Sequence, residues 1–202
     1  MQYSSYSFLY PPRPTSAIMP SIIRMYEENG FIAQVKKNGT CNIIAVSPEK
    51  EITCETRHNE PHKQWTPNSM SMFTRGPGWC VYVAELMNNK TKTVKNINYI
   101  NDILVYNGEY LVGKSFAERQ LILTNMFEPI DECDSHFILD NNTWLAKNHT
   151  SGFKKLFDSL TDDGDEGLVF KLPSAPLSLC SSVTANSKWL AKVRKPTKNY
   201  SF

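Results

Sequence analysis

Glu166-Gly167-Leu168-Val169-Phe170-Lys171 reads as an acid and a glycine turning into an apolar strand that ends on a lysine. Alone, this is an ordinary way to enter a strand. Three other short patterns give it weight by their order. Lys36-Lys37-Asn38-Gly39 and Val81-Tyr82-Val83-Ala84-Glu85 stand upstream, and Trp189-Leu190-Ala191-Lys192-Val193-Arg194 stands downstream. Each opens or closes an apolar, strand-like run, so charged side chains recur at strand ends. A single lysine beside an Asn-Gly turn is most often a solvated surface group, and so is a single strand-end carboxylate. Chemistry is suggested by the set of four.

Outward from these patterns, β-branched and aromatic runs bounded by turn formers predict strands over 31–35, 40–46, 51–56, 79–86, 97–106, 109–112, 168–171 and 189–193. Asn38-Gly39 is expected to turn the first of these into the second, and Asn107-Gly108 to make a further hairpin. Helices are predicted over 20–29, with Pro20 in the first turn and Gly30 as the stop. Another covers 115–127, where Phe116, Leu121, Leu123 and Phe127 recur at helical spacing, and a third covers 152–160. Pro11, Pro12 and Pro14 make residues 1–19 an extended arm, and the polar stretch 58–78 a long loop. Strands dominate and helices fall irregularly between them. The expected class is α+β, with antiparallel sheets flanked by helices, in one domain over residues 1–202.

The four patterns, in this order, resemble the motifs of the covalent nucleotidyltransferases. These comprise the adenylation domains of ATP-dependent RNA and DNA ligases and the mRNA capping guanylyltransferases. The resemblance covers roughly residues 31–195 and implies the nucleotidyltransferase fold. It also implies a lysine that attacks the α-phosphate of a nucleotide and carries the nucleoside monophosphate as a phosphoramidate. On that resemblance Lys36 is the nucleophile, Lys171 and Lys192 meet the α-phosphate, and Arg194 is the paired basic position. Glu85 would hold the ribose hydroxyls, Arg57 the ribose or phosphate, and Glu166 the ribose or a metal ion. Gly39 would let the backbone approach the nucleotide closely.

A lysine that attacks phosphorus must be a free amine, so its ordinary pKa of about 10.4 has to fall. Neighbouring cations do this by opposing a further positive charge, and Lys171 and Lys192 are expected to converge on Lys36. The same cations, with Mg²⁺ or Mn²⁺, would neutralise the triphosphate of ATP and the departing pyrophosphate. The chain departs from the family pattern at three places. Ala84 replaces a glycine, Asn38 replaces an aspartate, and Asn101 stands where a phenylalanine would stack on the purine. Tyr99, two residues earlier and on the same strand face, is the expected substitute platform.

Asn38 and the short tail after the last pattern favour the RNA-ligase branch, sealing a 5′-phosphate to a 3′-hydroxyl through lysyl-AMP and an adenylylated 5′ end. A minimal DNA ligase comes next and a capping guanylyltransferase third. The expected architecture lacks an OB-fold, leaving Lys188, Lys195 and Lys198 to grip a nicked duplex or RNA by its phosphates.

Bulk properties narrow the alternatives. A net charge of +2 excludes a uniformly basic, histone-like binder. Five scattered cysteines without a Cys-x-x-Cys pair point to a reducing compartment. With neither a secretory start nor a long apolar run, the expectation is a soluble, cytoplasmic monomer. Gly108-Glu109-Tyr110-Leu111-Val112-Gly113-Lys114-Ser115 satisfies the phosphate-loop pattern of a P-loop NTPase. Its intervening residues are bulky and alternate like a strand, which suits a phosphate cradle poorly. A non-catalytic nucleic-acid module would leave Glu85 and the 166–171 run without a role.

Overall fold

Alternation of apolar and polar residues builds two β-sheets with a cleft between them. The computed structural model of the protein describes residues 7–63, 70–161, 164–179 and 186–196. The strands are β1 (Arg13–Ala17), β2 (Ile32–Lys37), β3 (Thr40–Val46), β4 (Ile52–Glu55), β5 (Cys80–Met87) and β6 (Ile97–Tyr106). They continue with β7 (Glu109–Tyr110), β8 (Asp131–Glu132), β9 (His136–Asp140), β10 (Thr143–Ala146), β11 (Asp165–Lys171) and β12 (Asn186–Arg194). The helices are α1 (Ile23–Glu28), α2 (Phe116–Met126) and α3 (Phe153–Ser159). The smaller sheet has the order β1-β12-β11-β2, and the larger runs β4-β3-β5-β6-β10-β9-β8, with β7 added on β6. The α+β class holds. The sheets are mixed rather than wholly antiparallel, because β1 lies parallel to β12 and β10 parallel to β6.

Each sheet has its own apolar core. Ile43, Tyr82, Ile100, Ile103 and Leu123 are fully covered beneath the larger sheet. Ala33, Phe153, Leu168, Phe170 and Val193 are covered where α1 and α3 pack on the smaller one. With those alternate residues turned to the core, the residues between them, such as Gln34, Lys36, Val169, Lys171 and Arg194, are free to line the cleft.

One expectation is corrected here. Asn38-Gly39 does not close a hairpin, since β2 pairs with β11 whereas β3 pairs with β4 and β5. Neither residue has the positive φ that a two-residue hairpin turn requires, so the chain passes from one sheet to the other. Gly39 is needed for closeness instead: a Cβ there would sit 2.6 Å from the Leu86 carbonyl oxygen and 2.7 Å from Glu85 Cγ. Within the extended arm, residues 13–17 add a strand to the smaller sheet.

Asn107-Gly108 does make the expected turn, with φ of 49° and 80° between β6 and β7. The phosphate-loop pattern is thereby dismantled. Glu109 and Tyr110 are strand, Ser115 caps α2 in a capping box with Glu118, and Lys114 pairs with Glu118 at 3.1 Å on the surface.

Candidate active site

The cleft encloses a cavity of about 510 Å³, a size typical of small-ligand sites. Lys36, Glu166, Val169, Lys171, Leu190 and Arg194 come from the smaller sheet. Cys41, Arg57, Glu85, Tyr99 and Asn101 come from the larger sheet and the turn beside it. Residues far apart in sequence meet because register aligns them. Lys36 lies opposite Gly167, which lies opposite Arg194, so nucleophile candidate and arginine occupy one row across three strands. Cys41, Glu85 and Tyr99 form the corresponding row on the other sheet.

Gly167 explains how Glu166 reaches this row. Its φ is +154°, and a Cβ would lie 1.9 Å from the Val193 carbonyl oxygen, so only glycine lets β11 approach β12 here. Register shifts between Asp165 and Gly167, and Glu166 turns onto the cavity. There its carboxylate is ion-paired with Lys36, and its other oxygen lies 3.3 Å from Arg194 Nη2.

The Lys36 amine is pushed from 10.5 down to about 8. Burial is the main cause; Glu85 opposes it, while Arg194, Lys192 and Lys90 reinforce it. Lys192 and Arg194 thus both oppose a charge on Lys36. Lys171 does not: its ammonium donates to the Asn101 carbonyl at 3.0 Å and sits 4.5 Å above the Phe116 ring, beside the buried Asp102–Arg119 pair. Strand geometry separates it, since Lys171 is opposite Ile32, four residues along β2 from Lys36. Lys171 lines the cavity but is not among the cations that lower the nucleophile's pKa.

Glu85 is held above the ordinary carboxylate range, because burial outweighs Lys36, Lys90, Arg57 and a hydrogen bond from the Gly39 amide. Arg57 also approaches the Cys41 thiol, which burial pushes up to about 12. Tyr99 stands on the cavity wall but presents no open ring face. It is 2% exposed, its hydroxyl donates to the Val35 carbonyl at 3.0 Å, and Lys37 Nζ lies 5.5 Å from its ring centroid. As a stacking platform Tyr99 is corrected by that burial.

Among the lysines expected to grip phosphates, Lys188 is exposed, whereas the half-buried Lys195 donates its ammonium to the Leu160 carbonyl. Lys198 lies outside the described residues. Lys90 was missed altogether. It follows the Glu85 strand in a polar loop, donates to the Gly39 carbonyl and faces Lys36. Nothing local in the sequence distinguishes it from a solvated lysine.

The profile of the family "ATP dependent DNA ligase domain" matches residues 51–190, more than half of the chain. The chain belongs to that family. Lys36 precedes the matched span, so its place in the site rests on the geometry above. Among solved structures, a mycobacterial DNA ligase D complexed with ATP and MES is similar with a TM-score of 0.63 at 11% identity, over 94% of this chain and 62% of that one. The ATP-dependent DNA ligase of bacteriophage T7, complexed with ATP, gives 0.55 at 13% identity over 92% and 68%. A Lig E DNA ligase described as a minimal scaffold gives 0.52 at 16% identity over 82% and 62%. At such identities the likeness is one of fold. This chain spans about three-fifths of the first ligase structures it matches. No curated protein matches it in sequence. As an ATP-dependent DNA ligase domain, the protein belongs to a class defined by its dependence on ATP.

The residues present fit that chemistry. Lys36, Arg57, Lys90 and Arg194 put four cations around one cavity. Among the described residues no group of three or more His, Cys, Asp or Glu could hold an ion by itself. Glu166 fits a Mg²⁺ held chiefly by the nucleotide's own phosphates, which needs only one or two protein carboxylates. No helix among the described residues is long and apolar enough to cross a membrane.

Proposed function

We propose that the protein is an ATP-dependent polynucleotide ligase in which Lys36 carries AMP. The observation that carries this reading is the Lys36 amine, with its pKa near 8, set in a row with Glu166 and Arg194 inside a cation-lined cleft. Lys36 Nζ attacks the α-phosphorus of ATP. A nitrogen–phosphorus bond forms, the bond to the bridging oxygen breaks, and pyrophosphate leaves. Glu166, already paired with Lys36, is placed to take the proton. Arg194, Lys192 and Lys90 offset the charge that develops on phosphate oxygens. Bound Mg²⁺ would supply further neutralisation of the triphosphate, with Glu166 as its protein ligand. AMP then passes to a 5′-phosphate, and the 3′-hydroxyl of the neighbouring end displaces it.

The family match supports a nicked DNA duplex as the substrate. Asn38, in place of the family aspartate, supports the RNA reading. Intact-mass spectrometry after incubation with ATP and Mg²⁺ should show one added AMP, and Lys36→Ala should show none. An adduct that survives in Lys36→Ala overturns the assignment. GTP offered in parallel tests the guanylyltransferase alternative, and nicks flanked by DNA or RNA on either side decide the strand chemistry.

A further inference from the structure

The arm preceding α1 is anchored to both sheets, and its middle lies on the cavity. At one end the Ser7 amide donates to the Tyr110 hydroxyl at 3.2 Å, and that hydroxyl donates to the Ser7 carbonyl at 2.8 Å. Leu9, 2% exposed, is part of the larger sheet's core. At the other end β1 runs parallel to β12, Ile18 donates its amide to the Lys192 carbonyl at 2.9 Å, and its side chain joins the smaller sheet's core. Between these anchors the chain crosses from one sheet to the other, and Pro11, Pro12 and Pro14 line the cavity. Trp189 and Leu190 line it too, in the strand beside Pro14 and Ser187.

Prolines in that position imply a particular ligand surface. They have no N–H to offer a phosphate oxygen and carry no charge, so their side chains contribute only apolar area. Their locked φ also holds the crossing in one path without further ordering on binding. ATP has apolar area only on its base and on the carbons of its ribose. With Tyr99 covered and Asn101 in place of an aromatic residue, the larger sheet offers no open ring at this site among the described residues.

We infer that the Pro11-Pro12-Arg13-Pro14 crossing is a strap that closes the nucleotide cleft and positions the nucleoside part of ATP by packing Pro11 and Pro12 against it. The inference rests on the ligase reading for the identity of the ligand. The test is calorimetric, on the full chain, with α,β-methylene-ATP (which binds but cannot transfer AMP) and with tripolyphosphate, each with Mg²⁺. In Pro11→Gly/Pro12→Gly, α,β-methylene-ATP should bind about tenfold more weakly, the scale expected for losing one buried and one half-buried apolar side chain. Tripolyphosphate should change less than twofold.

A strap that merely stabilises the fold would lower the melting temperature and leave both dissociation constants alone. That result overturns the inference, and so does equal weakening of both ligands. Pro12→Ala, a milder change, keeps the test open if the double variant does not fold: weaker α,β-methylene-ATP binding at unchanged tripolyphosphate affinity supports the strap, and no change in either overturns it. Failure of the ligase reading shows up separately, as wild-type protein that binds α,β-methylene-ATP yet forms no adduct with ATP.

Discussion

At the scale of the residue, the cleft pushes two lysines, Lys36 and Lys171, down to about 8, but only Lys36 faces Glu166 and Arg194. Only the free amine is nucleophilic, so adduct formation on Lys36 should rise with pH and level off above about 8. An unperturbed lysine would keep gaining up to about 10.4. Stopped-time mass spectrometry from pH 6 to 10 checks this, and a profile still climbing at pH 10 would remove the burial argument. Gly167 governs the same row from the opposite strand. In Gly167→Ala the new Cβ meets the Val193 carbonyl and the Arg194 Cα, so β11 and β12 must part. The expected cost is roughly 1–3 kcal/mol of stability by denaturant titration, together with loss of adduct formation as Glu166 and Arg194 move. Alanine tolerated on both counts would show that the strand spacing can relax.

At the scale of the element, the segment from β7 into α2 separates local architecture from chemistry. Ser115 accepts from the Glu118 amide, and Glu118, its own carboxyl lowered to about 2 chiefly by the hydrogen bond from the Ser115 amide, completes the capping box. Ser115→Ala should therefore cost about 1 kcal/mol of stability, read by thermal or chemical unfolding. Lys114→Ala should leave the AMP adduct intact, because the Lys114 ammonium pairs with Glu118 on the surface, away from the cavity lining. An adduct lost in the Lys114 variant alone would restore the phosphate-loop reading.

At the scale of the whole molecule, the two sheets divide the labour of the site. The smaller one supplies Lys36, Glu166 and Arg194, and the larger one supplies Glu85 and, beside it, Arg57 and Lys90. On the proposed ligase reading, nucleic acid would be gripped outside this cleft. Lys188 is exposed on the strand that carries Lys192 and Arg194, whereas Lys195 is tied to the Leu160 carbonyl. If the chain binds a nick, Lys188→Gln should flatten the salt dependence of binding by about one unit in log–log slope, and Lys195→Gln by less. Nick affinity across a salt series measures both; an unchanged slope in the Lys188 variant would make it a solvated surface group.

What the sequence determined by itself was local or carried by chain order. Strand alternation, the Asn107-Gly108 hairpin and the cap at Ser115 follow from short-range sterics and hydrogen bonding, and the four charged patterns stand at strand ends in the order the ligase family shows. The parting of Lys36 from Lys171, the covering of Tyr99, the approach of Lys90 and the crossing of the proline strap depend on register and on how one sheet sits against the other. Lys36 and Lys171 carry the same amine, yet one faces Glu166 and Arg194 while the other faces a backbone carbonyl and a phenyl ring. Tertiary structure decided between them: burial lowers both to about 8, and only the partners brought in from distant parts of the chain differ.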